Sequence, residues 1–128
     1  MFKAQSGAST KSIGDAAEAR ALTFLQSRGL VLVQRNYRIA FGPRAAAGEI
    51  DLVMRGAGGM LVFVEVRSRR DARHGGAAAS IGATKRARIV RAAQHYLLRL
   101  PSPPPCRFDV VVIDGEAIEW IEAAFDAA

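Results

Sequence analysis

Asp51 and Glu65 are the residues whose type and spacing most directly suggest chemistry. They lie on two alternating segments, Glu49 to Arg55 and Met60 to Arg69, joined by Gly56-Ala57-Gly58-Gly59. Such a pattern reads as a β-hairpin. With Ala57-Gly58-Gly59 as the loop, Gly56 lies opposite Met60, Asp51 opposite Glu65 and Glu49 opposite Arg67. Ile50, Leu52, Met54, Val62, Val64 and Val66 then all fall on the other face, and a slip by one residue would scatter both sets. Two carboxylates held as cross-strand neighbours repel each other. A divalent cation offsets that cost: Mg²⁺ takes oxygen ligands, often one or two carboxylates, and keeps positions for water and phosphate. A metal so placed lowers the pKa of a bound water and neutralises charge developing on a phosphate. The competing reading is a solvated face, with Glu49 and Arg67 as a surface ion pair and both acids pointing to water.

Glu18 belongs to the same question. Leu22 and Leu25 follow it at helical spacing, so all three share one face of an amphipathic helix. A carboxylate on an inward face needs a partner, and the acidic hairpin would supply a shared site. The alternative is favourable placement in the first turn of the helix.

Positive charge collects elsewhere. Lys85, Arg88, Arg91, His95 and Arg99 lie on or near one side of a second helix, and Arg69, Arg70 and Arg73 follow the hairpin directly. No acidic residue interrupts the chain between Asp71 and Asp109. The chain carries a formal charge of +6 and a pI near 10.4. A one-signed surface beside an acidic pocket suits a phosphate backbone. His74 and His95 are too isolated to read as ligands, and few aromatics are placed to stack on bases.

The elements that must position these residues follow in order. Met1 to Thr10 reads as a loose tail, so residues 1–11 are expected to form a flexible extension of a single domain, 12–128. Ser12-Ile13-Gly14-Asp15 signals a helix start, and Gly29 its end. Leu30 to Arg38 is a strand and Ala40 to Gly48 a loop. The hairpin is followed by a Gly-rich loop, Asp71 to Gly82. Thr84 is expected to cap a helix from Lys85 to about Leu100, with Ile89, Ala93, Tyr96, Leu97 and Leu100 on its apolar face. Pro101 to Pro105 stops it. Phe108 to Ile113 and Ala117 to Ile121 are strands around an Asp114-Gly115-Glu116 turn. The order is αβββαββ. Cys106 has no partner for a disulfide and reads as a partly buried, inert thiol. No signal-peptide core or membrane span is apparent, so the expected compartment is the cytoplasm.

Gly48-Glu49-Ile50-Asp51-Leu52-Val53 and Val62-Phe63-Val64-Glu65-Val66-Arg67-Ser68-Arg69 closely resemble the YraN-type (UPF0102-like) family of uncharacterised bacterial proteins. Gly14 with Ala17-Glu18, Asn36-Tyr37-Arg38, Lys85, Ala93 with Tyr96-Leu97, Arg107-Phe108-Asp109-Val110 and Ala124-Phe125 extend the resemblance along most of the chain. The family is similar to Holliday-junction-resolvase-like PD-(D/E)XK nucleases. The resemblance implies a restriction-endonuclease-like α/β core, a mixed five-stranded sheet flanked by helices. It implies Mg²⁺ (or Mn²⁺) held by Asp51, Glu65 and Glu18, and cleavage of phosphodiester bonds in branched or structured DNA. Lys85, Arg88, Arg69 and Arg91 would grip the flanking backbone. A homodimer is one implied assembly, with Phe125 and the neighbouring alanines as candidate contacts. Arg67 departs from the pattern, which places a lysine there. Arginine keeps the charge but cannot act as a base, so the alternatives are a DNA-binding module with impaired chemistry and a protein-interaction scaffold.

Overall fold

A computed structural model describes residues 10–40, 47–68 and 81–127, with side chains from Gly14 onward in the first segment. The expectations for Met1 to Ser9, for most of the Ala40 to Gly48 and Asp71 to Gly82 loops, and for Arg69, Arg70 and Arg73 lie outside the described residues.

The elements run α1 (Thr10–Ser27), β1 (Val31–Ile39), β2 (Gly48–Arg55), a 3₁₀ turn (Ala57–Gly59), β3 (Leu61–Ser68), α2 (Ala83–Leu97), β4 (Cys106–Asp114) and β5 (Ala117–Phe125). They give the α/β order read from the sequence. The sheet is mixed, with spatial order β1-β2-β3-β4-β5. Among the described strands only β3 and β4 run parallel; the other neighbours are antiparallel. A parallel pair needs a crossover, and α2 lies on it.

Each helix covers one face of the sheet. Ala17, Ala21 and Leu25 of α1 pack with Leu52, Met54, Val62, Val64 and Val111. Ile89, Ala92, Ala93 and Tyr96 of α2 pack with Tyr37, Ile50, Val53, Phe63 and Phe108. Strands buried on both faces explain the nearly unbroken apolar run in β3. Helix α1 starts at Thr10, two residues ahead of the Ser12 signal, and ends as Gly29 dictates. Gly29 takes φ +96°. Its N–H donates to Gln26 O at 3.0 Å, and the Leu30 N–H donates to Leu25 O at 3.1 Å. This is a Schellman closure, which needs a left-handed residue.

Several expectations are corrected. Helix α2 begins at Ala83 after Gly82, which takes the capping position with no side-chain bond, so Thr84 lies inside the helix. Ile50 does not share a face with Leu52 and Met54; it packs with Val53 and Phe63 under α2. The pleat of β2 therefore breaks at Asp51, next to Leu52↔Val64, the last hairpin pair at that end of the ladder. The second hairpin face is not solvated, because Val53, Leu61 and Phe63 are buried on it. Glu49 faces Arg38 on β1 and pairs with it at 3.4 Å, rather than with Arg67. Strand β5 continues to Phe125, beyond Ile121, and Cys106 is exposed.

Candidate functional site

The hairpin ladder pairs Arg55 with Leu61, Met54 with Val62, Val53 with Phe63 and Leu52 with Val64. The Gly56 N–H donates to Met60 O at 2.8 Å, closing the turn in the register read from the sequence. Beyond Leu52↔Val64 the side chains take over. The Val66 N–H donates to Asp51 Oδ2 at 2.8 Å, where a ladder carbonyl would otherwise accept. Asp51 and Glu65 thus come together where the strands part, and their carboxyl groups are within hydrogen-bonding reach of each other.

The electrostatics follow from that placement. Glu65 is 6% exposed. Burial first, then the charge of Asp51, pushes its carboxyl up from 4.5 to about 8. Asp51 is also raised, chiefly by burial, while the Val66 N–H acts in the opposite direction. Among the described residues, one compensating cation reaches the pair: Lys85 Nζ, from the first turn of α2, lies 3.4 Å from Glu65 Oε2.

Glu18 approaches from the other helix. Burial, followed by the charge of Asp51, raises it from 4.5 to about 7; Arg35 on β1 acts in the opposite direction. Its Oε1 is buried and has no hydrogen-bond partner. Such an atom calls for a proton, a water or a cation. Among the described residues, no three carboxylate, imidazole or thiol groups come close enough to hold one metal together. Asp51 and Glu65 are therefore the direct carboxylate pair, and Glu18 acts on it through charge. The donor set is all oxygen and the neighbouring N–H and ammonium leave carboxylate lone pairs free, which fits a hard divalent ion carrying its own waters.

Arg67 stands two residues beyond Glu65, with its Nε buried and without a hydrogen-bond partner. Lys85, read from the sequence as a backbone grip, turns inward to Glu65. Arg91 donates to Ala47 O at 3.2 Å, and Arg88 is exposed on the same helix. Arg69 lies outside the described residues. His95 meets the Tyr37 hydroxyl at 2.6 Å, and Arg99 stacks over the Tyr37 and Tyr96 rings.

Three contributions escaped the sequence reading. Arg35 lies two positions before Tyr37 on an alternating strand, which places it on the sheet but does not reveal that it lies beside Glu18. Gly48 sits directly under α2: a Cβ there would meet Arg88 O at 2.9 Å and Ala92 Cβ at 3.1 Å. That close approach brings the start of β2, and so Asp51, against the helix that carries Lys85. Asp109 is fully buried. It accepts from Arg107 Nε at 3.0 Å, Trp120 Nε1 at 2.9 Å and the Ala123 N–H at 2.9 Å. Ala123 takes φ +50°, and the β4–β5 register shifts between Phe108 and Val110, so this carboxylate holds a bulge rather than a ligand.

A profile of the uncharacterised protein family UPF0102 matches residues 17–113. A UPF0102 protein of Methylibium petroleiphilum is 62% identical over 119 residues, covering 93% of this chain and 98% of that protein. One of Paracidovorax citrulli is 61% identical over 118 residues, covering 92% and 85%. One of Albidiferax ferrireducens is 58% identical over 127 residues, covering 99% and 96%. Among the described residues, no helix is long and apolar enough to cross a membrane.

Proposed function

The chain belongs to the uncharacterised protein family UPF0102, and from the site it carries we propose that it binds structured or branched DNA and cleaves it in a divalent-metal-dependent reaction. One observation carries this reading: two carboxyl groups, both raised by burial, meet where a strand pair opens, with one ammonium beside them. Without a metal the fold relieves the repulsion of such a pair by holding a proton on it beside Lys85, and a divalent cation would take that proton's place.

Asp51 and Glu65 would hold Mg²⁺ or Mn²⁺, which when bound supplies an acidified water and charge neutralisation at a phosphate. The chain's own residues perform the rest. The Val66 N–H fixes the Asp51 carboxylate beside Glu65. Lys85 holds Glu65 in place and brings positive charge to the site mouth. Glu18, with an unpartnered oxygen, orients water or accepts a proton near neutral pH. Arg88, Arg91 and Arg69 contribute charge for the flanking backbone, and binding through them weakens steeply with salt.

The second reading is a DNA-binding module with impaired chemistry. It is favoured by Arg67, whose guanidinium cannot take a proton from water. Lys85 answers that objection in part, because an ammonium is present at the acid pair even though position 67 lacks one.

The test is a titration of Mg²⁺ or Mn²⁺ with labelled branched and linear DNA, using wild type, Asp51→Ala and Glu65→Ala. Metal-dependent cutting that disappears in both variants supports the nuclease reading. Binding without cutting, unchanged in both variants, supports the module reading, and no DNA binding even at low salt refutes both.

A further inference from the structure

At the end of the sheet remote from the acids, Arg28, Arg55 and Arg107 line one recess of about 630 Å³, floored by Leu30, Val31 and Met60 and walled by the Gly56–Gly59 turn. Asp51 and Arg55 stand on the same strand, so the two places are separated by roughly 13 Å at ordinary strand rise. That exceeds the screening length of physiological salt, about 8 Å. The acid cluster therefore does little to neutralise this recess.

We propose that this recess is a second binding site, for the phosphate group of a nucleotide. Among the described residues, no carboxylate lines it. Arg107 is matched, at 3.0 Å by Asp109 and at 3.3 Å by Glu122. Arg28 and Arg55 have no carboxylate partner among the described residues; Arg28 only stacks its guanidinium 4.6 Å over Phe24. Two uncompensated guanidiniums sharing a recess favour an anion, and their forked donors match phosphate oxygens.

The remaining lining suits the rest of a nucleotide. Val31 is 53% exposed, an unusual position for a large apolar residue, and Met60 continues that surface over the buried Leu30. A Cβ built at Gly59, which lines the recess, would meet nothing within 4 Å, so the turn leaves open space for close approach. The end of α1 would present carbonyls hostile to an anion, but the Gly29 and Leu30 N–H groups already bond two of them. A base or sugar on the apolar floor with its phosphate at Arg28 and Arg55 uses every feature of the recess.

The site is independent of the proposed metal chemistry, and its test keeps the two apart. Backbone amide NMR of the full chain, in EDTA, follows titration with adenosine 5′-monophosphate, with adenosine, and with a 5′-phosphorylated single-stranded oligothymidylate. The monophosphate or the oligonucleotide should shift Arg28 to Val31 and Gly56 to Met60, while adenosine should not. Shifts with the monophosphate identify free nucleotides as a source; shifts with the oligonucleotide alone identify a strand. Affinity should fall about ten-fold or more in Arg28→Ala/Arg55→Ala, as expected for losing charge-assisted bonds. Both arginines are exposed, so the fold should survive. Arg55→Gln alone, measured beside a thermal melt, provides the second variant. The proposal is overturned by silence with both phosphorylated probes, by equal shifts with adenosine, by unchanged affinity in both variants, or by shifts confined to Glu65 and Lys85.

Discussion

Replacing Glu65 by glutamine should stabilise the metal-free protein at alkaline pH and change it little at pH 5. Burial and the Asp51 charge hold Glu65 at about 8, against 4.5 for the free group. An acid whose folded pKa lies above its unfolded value binds its proton more tightly when folded. The associated stability is fully present below 4.5, declines as pH rises, and is gone above about 8. A shift of that size corresponds to roughly 5 kcal/mol as an upper bound. Glutamine also gives up the Lys85 contact, about 1–3 kcal/mol for a bond to a charged group. The net gain at pH 9 is then at most about 2–4 kcal/mol, or roughly 6–14 °C in Tm for a domain this size. Melts at pH 5 and pH 9 in EDTA measure it. Mg²⁺ should act in the opposite sense. It should raise the wild-type Tm increasingly as pH goes from 6 to 9, by about 2.7 kcal/mol at a hundred-fold excess over Kd, and do little for Glu65→Gln. A variant less stable than wild type at pH 9, or a difference independent of pH, would refute the reasoning.

Lys85→Met should cost about 1–3 kcal/mol at pH 8 in urea unfolding, because it leaves Glu65 buried without its cation, and the loss should shrink at pH 5. Gly48→Ala should cost about 1–3 kcal/mol by overpacking against α2, with Mg²⁺ affinity falling alongside as Lys85 is pushed away. Asp109→Ala should cost about 3–5 kcal/mol, since it removes the nearer, buried partner of Arg107, leaving only Glu122, and leaves the Trp120 and Ala123 donors unmet; its Mg²⁺ affinity, once folded, should be unchanged.

What the sequence discloses is what local pattern controls. Alternation and the glycine turn specify the hairpin register, because a slip would move every valine of β3 to the wrong face. Gly29 marks the end of α1, and helical spacing places Glu18 toward the sheet. What stays hidden depends on groups far apart in the chain. Nothing near Lys85 says that its ammonium reaches Glu65. Nothing near Ala123 says that Asp109 will stabilise a left-handed residue there, so the alanine- and glutamate-rich stretch predicts an end at Ile121 that β5 does not observe. Ile50 leaves its expected face because alternation assumes an unbroken pleat, and the Asp51 carboxylate breaks it by taking the Val66 N–H. Arg67 and Glu49 would pair only under the same assumption; beyond Leu52↔Val64 the ladder no longer enforces it.

Mn²⁺ binding followed by electron paramagnetic resonance at pH 8, in wild type, Asp51→Ala and Glu65→Ala, tests the carboxylate pair most directly. One saturable site per wild-type chain, lost in both variants and retained more weakly in Glu18→Gln, is the predicted result. No saturable site in wild type, or equal binding in both alanine variants, would contradict it.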